Sequence, residues 1–323
     1  MRIKNSLIFG VVLIISLTVF QIGVIEVTGA NDKPIIVCTT NAVGSIVKEF
    51  LGDTADVVVL VQPSLCPADF DMKPSDIYAV SNARMLFKQN IPGEFWLQGL
   101  LDAAGNTNLT QIAIPGAYNT PKGAKNYISW VGGNLSQSLT IDLDTKISEM
   151  LLEIDTITSW ITTQAQTLQA SNTKVICMKW LKTFIESAGF TVVTTYDPPE
   201  TLSLADINNL VDTAQSEKVA LIVDNLQIDV DFGKGVASQI GAEHVILTNF
   251  PGAIPGTENL SQMLRYNAEQ LFNGTNTWKY TSQLKAEREE LKNQVTTYQI
   301  TTSLAIVIAV VEAVWLYITR KRG

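Results

Sequence analysis

A chain of 323 residues with 46% hydrophobic and 17% charged residues holds enough apolar material for two separate cores. Its net charge of −8 excludes nucleic acid as a natural partner. Three cysteines, Cys38, Cys66 and Cys177, are too few for a disulfide framework, and at least one is free or bonded elsewhere.

At the N-terminus, Arg2 and Lys4 precede an apolar run from Leu7 to Ile25, and Thr28-Gly29-Ala30 follows. This is the order of a secretory signal, with cleavage expected after Ala30. The run is longer than the usual ~7–15 residue apolar segment, so retention as an uncleaved anchor is the alternative. No lipobox is present, and a lipid anchor is not expected.

Ile35 to Cys38 reads as a strand, followed by a helical pattern through Val43, Ile46, Val47, Phe50 and Leu51. Asp56 to Val61 is a second β-branched run. A helix begins at Ser75-Asp76, and Met85 to Phe87 is a third strand. This alternation predicts a mostly parallel sheet with helices on both faces.

From Asp142 to Ala170, apolar residues recur at helical spacing (Ile147, Met150, Ile154, Ile157, Ile161) with no Pro or Gly between them. The segment predicts one helix about 40 Å long, connecting two lobes. A second α/β series follows. Its expected strands are Lys174–Met178, Thr191–Thr195, Val219–Val223 and His244–Leu247. Its expected helices are Lys179–Ala188, a Ser203-capped helix to Ala214, Gly233–Ile240 and Leu260–Phe272.

Residues 281–299 are polar and helix-prone, and Ile300 to Thr319 is apolar apart from Glu312. About 20 helical residues rise about 30 Å, the thickness of a hydrocarbon core. Arg320-Lys321-Arg322 follow at once, so the positive-inside rule leaves the body extracytoplasmic. The expected organisation is a signal segment at 1–30, an N-terminal α/β lobe at 33–141, a linking helix at 142–170 and a C-terminal α/β lobe at 171–278. A polar stalk at 279–299, a transmembrane helix at 300–319 and a cytoplasmic tail at 320–323 complete it. Sequons at Asn108, Asn134, Asn259 and Asn273 suggest glycosylation of an exported chain.

Three stretches together resemble the zinc/manganese class of ABC-importer substrate-binding proteins. They are Ile36-Val37-Cys38-Thr39-Thr40 with Val47 to Asp53, the loop Pro67-Ala68-Asp69-Phe70-Asp71-Met72-Lys73-Pro74-Ser75-Asp76-Ile77, and Ile240-Gly241-Ala242 with Leu264-Arg265-Tyr266-Asn267. The resemblance spans roughly residues 35 to 274. It implies two rigid lobes joined by one long helix, a cargo held between them, and an ABC permease as partner in the membrane.

The resemblance also implies three His and one carboxylate as metal ligands, and these are missing. Ala68, Ile128 and Met178 stand at the His positions, and Thr248 or Asn249 at the carboxylate position. The only histidine, His244, lies elsewhere and has no evident partner in the sequence. Cys66, Cys177 and Met178 sit at or beside the lost ligands, and sulfur ligands favour a soft transition metal ion as cargo. The alternatives are an inter-lobe Cys66–Cys177 disulfide, an organic or anionic ligand with Trp130 or Trp180 stacking on it, or a cleft that has lost binding.

The residues expected to line the cleft are Cys66, Asp69, Trp130, Cys177, Met178 and Asn249. No resident cofactor is implied. No Ser/His/Asp or Cys/His arrangement supports catalysis. The function expected is a membrane-anchored, extracytoplasmic substrate-binding protein of an ABC importer, capturing a metal ion or other small ligand. The alternative is a surface adhesion or structural protein on the same fold with a non-binding cleft.

Overall fold

Short β-branched runs alternating with amphipathic helices build two α/β lobes in this computed structural model, which describes residues 33–322. The expected signal segment lies outside the described residues. In the N-terminal lobe the chain runs β1 (Ile35–Cys38), α1 (Asn41–Leu51), β2 (Asp56–Val59), α2 (Pro74–Asn82), β3 (Met85–Lys88), α3 (Leu97–Ala104), β4 (Thr110–Ala113) and α4 (Pro121–Leu139). The sheet order is β2-β1-β3-β4 and every pairing is parallel.

Strand alternation sends Val37 and Leu86 to one face, where they meet Val80 and Leu100 under α2 and α3. Ile36, Cys38, Met85 and Phe87 face the other way, toward α1 and α4. Burial on both faces explains why these strands read as nearly continuous apolar runs.

The C-terminal lobe repeats the plan with β5 (Lys174–Met178), α6 (Lys182–Ser187), β6 (Thr191–Tyr196), α7 (Leu204–Ser216), β7 (Leu221–Asn225), α8 (Asp231–Ile240) and β8 (Glu243–Leu247). Its order, β6-β5-β7-β8, is again all parallel. Ser203 caps α7 with a reciprocal Ser203–Asp206 box, as its sequence suggests.

Between the lobes runs α5 (Asp144–Leu168), a single helix of 25 residues packed on α4. A Cβ on Gly132 of α4 would lie 2.6 Å from Ile147 and 2.9 Å from Phe50, so a glycine is needed for the three helices to approach.

The final helix, α9 (Leu260–Arg322), is continuous for 63 residues. The sequence pattern suggests a lobe helix, a stalk and an apolar span as separate pieces. No proline, and no glycine after Gly274, interrupts the series, so the hydrogen-bond ladder runs through. Its first part is buried in the lobe by Leu260, Met263, Leu264, Ala268, Leu271 and Phe272. From Gln283 to Lys321 it is exposed throughout, and Lys285 still reaches the lobe, its Nζ lying 3.5 Å from where a Cβ on Gly241 would stand. Its most apolar 18-residue window has a mean hydropathy of 2.0, long and apolar enough to cross a membrane.

Candidate functional site

In both sheets the strand order reverses beside the first strand of the lobe. Open parallel sheets bind ligands outside the carboxyl ends of their strands at such a switch point. The candidate site is therefore built from residues following β1 and β3 on one side, and β5, β7 and β8 on the other.

After β1, Thr39 and Thr40 are fully buried. Thr40 donates its hydroxyl to Gln89 Oε1 at 2.5 Å, and Thr39 donates to Glu94. Glu94 also accepts the backbone N–H groups of Gln89 (3.2 Å) and Asn90 (2.7 Å). A buried carboxylate with several N–H and O–H donors needs no counter-ion beside it. Tyr118 stacks on Phe250 of the other lobe with centroids 6.2 Å apart. Burial pushes the Tyr118 phenol well above its usual value, with a hydrogen bond to Gln89 acting in the opposite direction.

Across the crevice the lobes are joined by side-chain amides. Asn41 donates to Pro251 O at 2.6 Å and Gln227 to Pro63 O at 2.9 Å. Asn119 donates to Trp180 O at 2.9 Å and approaches Asn249 Oδ1 at 3.5 Å, while Thr183 donates to Asn119 Oδ1 at 3.3 Å. Gln227 Oε1 accepts the Asn249 N–H, and its Nε2 reaches Thr248 Oγ1. Gly252 adopts φ +77°, and a Cβ there would lie 2.9 Å from the Asn41 amide nitrogen. The turn carrying Pro251 therefore requires glycine for the Asn41 contact to form.

Buried polar groups are nearly all bonded. Among the described residues only the Ser45 and Ser136 hydroxyls, both on helices, are buried without a partner.

The expected site residues fall into distinct places. Asn249 is buried in the amide network at the end of β8. Cys66 caps a 3-10 turn (Pro67–Asp69) in the N-terminal lobe, beside the exposed Ala68 and Asp69. Trp130 and Trp180 are 46% and 40% exposed. Cys177 and Met178 are completely buried in the core of the C-terminal lobe. As neighbours on β5 they point to opposite faces of the sheet, and Met178 Sδ accepts the N–H of Trp180 at 3.4 Å. Cys66, Cys177 and Met178 are thus not gathered on one wall. Burial is the main cause raising both thiols, to about 12 for Cys177, which disfavours the thiolate that binds metal.

All three cysteines are free, which corrects the disulfide alternative. Among the described residues no group of three or more His, Cys, Asp or Glu side chains is placed to hold a metal ion. The ligand positions implied by the resemblance are filled by exposed Ala68, by Ile128 and Met178 in the core, and by buried Thr248 and Asn249. Neutral amides and hydroxyls do not fit the imidazole and carboxylate set that suits Zn²⁺ or Mn²⁺.

His244 does have a partner: its Nε2 lies 2.7 Å from Asp224 Oδ2, and Tyr196 donates its phenol to the same carboxylate. This cluster sits within the C-terminal lobe, where a Cβ on Gly233 would collide with Asp224. Glycosylation gains no support from the fold. Asn134 and Asn273 lie within helices α4 and α9, and the Asn259 side chain accepts from Gln262 N at the start of α9. Asn108 alone is in an exposed turn. Sequence reasoning missed Asn41, Gln89, Asn119 and Gln227. Their signal is positional, polar residues one to three places beyond a strand or before a helix, and it is read only once the strands are paired.

Two parallel α/β lobes on one long connecting helix, meeting at the carboxyl ends of their strands, have the architecture of two-lobe solute-binding proteins. Residues 36–274 match the family described as zinc-uptake complex component A, periplasmic, and the chain belongs to that family. Its members are transport components and not enzymes. A manganese-binding lipoprotein, MntA, from Halalkalibacterium halodurans is 20% identical over 262 residues, covering 74% of this chain and 87% of the relative. The crystal structure of ZnuA superposes with a TM-score of 0.62 at 18% identity, over 76% of this chain and all of that one. The periplasmic zinc-binding protein TroA from Treponema pallidum gives 0.65 at 14%, covering 75% and 99%. The laminin-binding adhesin of Streptococcus agalactiae gives 0.65 at 17%, also covering 75% and 99%. At these identities the structures share the fold alone.

Proposed function

We propose that the chain is the extracytoplasmic, membrane-anchored substrate-binding component of an ABC importer. Its lobes stand outside the membrane on α9, and its partner is the permease. The crevice takes a small hydrogen-bonding solute in place of a divalent metal. The observation carrying this reading is the convergence of Asn119, Gln227 and Asn249, neutral amides, where relatives with zinc or manganese in their names share the fold. Cys66 and Asp69, in the loop beside the crevice, and the half-exposed Trp130 and Trp180 are proposed to border its mouth. Cys177 and Met178 support the crevice floor from within the core.

The test is elemental analysis and native mass spectrometry of the protein purified from membranes. Zinc, manganese and copper should be far below one per chain, and a bound organic solute should add mass that is lost on Asn249→Ala. One equivalent of metal surviving dialysis overturns the reading. Truncation near Thr281 tests the anchor separately, because the shortened body should leave the membrane fraction.

A second reading has its own support. The crevice amides already bond backbone carbonyls of the opposite lobe, and the shared fold also carries a laminin-binding adhesin. A surface protein with a self-closed crevice would carry no cargo under any growth condition.

A further inference from the structure

Beyond Gln283 the residues of α9 are exposed, with Lys285 near Gly241 at the edge of the lobe, yet the helix is not uniformly polar. Leu284, Leu291, Val295 and Tyr298 are 45%, 61%, 53% and 72% exposed. Their spacing of seven, four and three residues places them on one stripe of a helix, at positions d, d, a and d of a heptad. The opposite face carries Glu289, Glu290, Asn293 and Thr297. An apolar stripe along a helix that is polar elsewhere is the mark of a coiled-coil seam.

We infer that this stripe is covered by the same stripe of a second copy of this chain, forming a parallel two-stranded coiled coil above and into the membrane. The inference rests on the proposed anchor, which gives two copies the same direction.

Charge pattern selects that partner. With Leu284 and Leu291 at d, Glu287 falls at g and Lys292 at the following e position. In a parallel pair these face each other across the seam, Glu287 of one copy to Lys292 of the other. Within one chain Lys292 reaches only Glu289, at 3.9 Å and in full solvent. Arg288 falls at an a position, where a polar residue lowers stability but fixes register and strand number.

The same heptad runs unbroken into the apolar span. It places Ala305 at d, Ala309 at a and Glu312 at d. Small residues let two helices approach closely within a bilayer. A carboxyl at membrane depth is costly unless it meets a hydrogen-bonding partner, and a parallel pair supplies one in the second Glu312.

The test uses the full chain in membranes, where the native cysteines are all buried. Leu291→Cys and Asn293→Cys are oxidised and run without reductant. The expected result is a covalent dimer at position 291 several-fold more abundant than at 293. Glu287→Lys in the Leu291→Cys background should reduce the dimer, and adding Lys292→Glu should restore it. Equal cross-linking at both positions, no cross-linking at all, or an adduct whose mass is not twice the chain (a permease helix on the stripe) overturns the inference. Recovery of the protein in the soluble fraction of the same preparation would instead reject the anchor, and so separates the two failures.

Discussion

Each lobe buries one carboxylate near the carboxyl ends of its strands, and the two find different hydrogen-bond partners. Glu94 in the N-terminal lobe is held by Thr39 and by the N–H groups of Gln89 and Asn90, donors that carry no charge. Asp224 in the C-terminal lobe is completely buried and leans on the imidazole of His244 and the phenol of Tyr196. The first arrangement tightens a loop at the crevice. The second ties three strands of one sheet together: β6, β7 and β8. The only histidine of the chain is thus spent on the fold. The contrast teaches that the crevice side of this family member is set by neutral dipoles, while the one carboxylate–imidazole contact lies within the lobe.

The largest effect expected from this contrast is at Asp224. Asp224→Ala leaves two groups, His244 and the buried Tyr196 phenol, without their shared partner and should cost about 2–5 kcal/mol of stability, read by chemical denaturation. Glu94→Ala strands weaker, uncharged donors and should cost about 1–3 kcal/mol. If Glu94→Ala costs as much as Asp224→Ala, the distinction between the two sites collapses.

Cys177→Ser sharpens the comparison, since it places a hydroxyl in the core beside the Tyr196–Asp224 cluster. A loss of about 1–3 kcal/mol is expected, with no change in bound metal. A change in metal content greater than the change in stability would return Cys177 to the binding site.

The smallest effect is at Glu49, where burial, and secondarily Glu153, raises the carboxyl above its usual range, while Lys146 opposes them. A raised folded-state pKa means that the fold favours the protonated form. That contribution is complete at acid pH and is lost as pH rises through the folded value. Glu49→Gln should therefore stabilise at neutral pH and not at acid pH. The gain should be below about 1 kcal/mol, because a half-exposed site is screened by solvent. Thermal midpoints of both proteins across the acid-to-neutral range check it; a gain that is the same at every pH would mean the carboxyl is not the cause.

The alternation of apolar runs was enough to read β1, β3, β5 and β7, because central strands of parallel sheets are buried on both faces and so are apolar throughout. The linking helix was equally legible, since Met150, Ile154, Ile157 and Ile161 hold one buried face without a break. Three elements of the N-terminal lobe were not legible: α3, β4 and α4. In β4 only Ile112 is buried, because the strand lies at the sheet edge. Helix α4 carries Gly123, Gly132 and Gly133, which weaken any helical pattern.

By itself, then, the sequence determined the parallel two-lobe class, the linking helix, the apolar C-terminal span and the loss of the metal-binding histidines. The first three are properties of periodicity and residue type along the chain, and the last is what the family resemblance implies. Which polar side chains meet across the crevice was decided only by the tertiary structure. Asn41 and Pro251, or Gln227 and Pro63, are separated by 210 and 164 positions and share no local pattern. The opposed directions of Cys177 and Met178 likewise follow from the β pleat in its folded setting, where adjacent side chains on one strand leave by opposite faces.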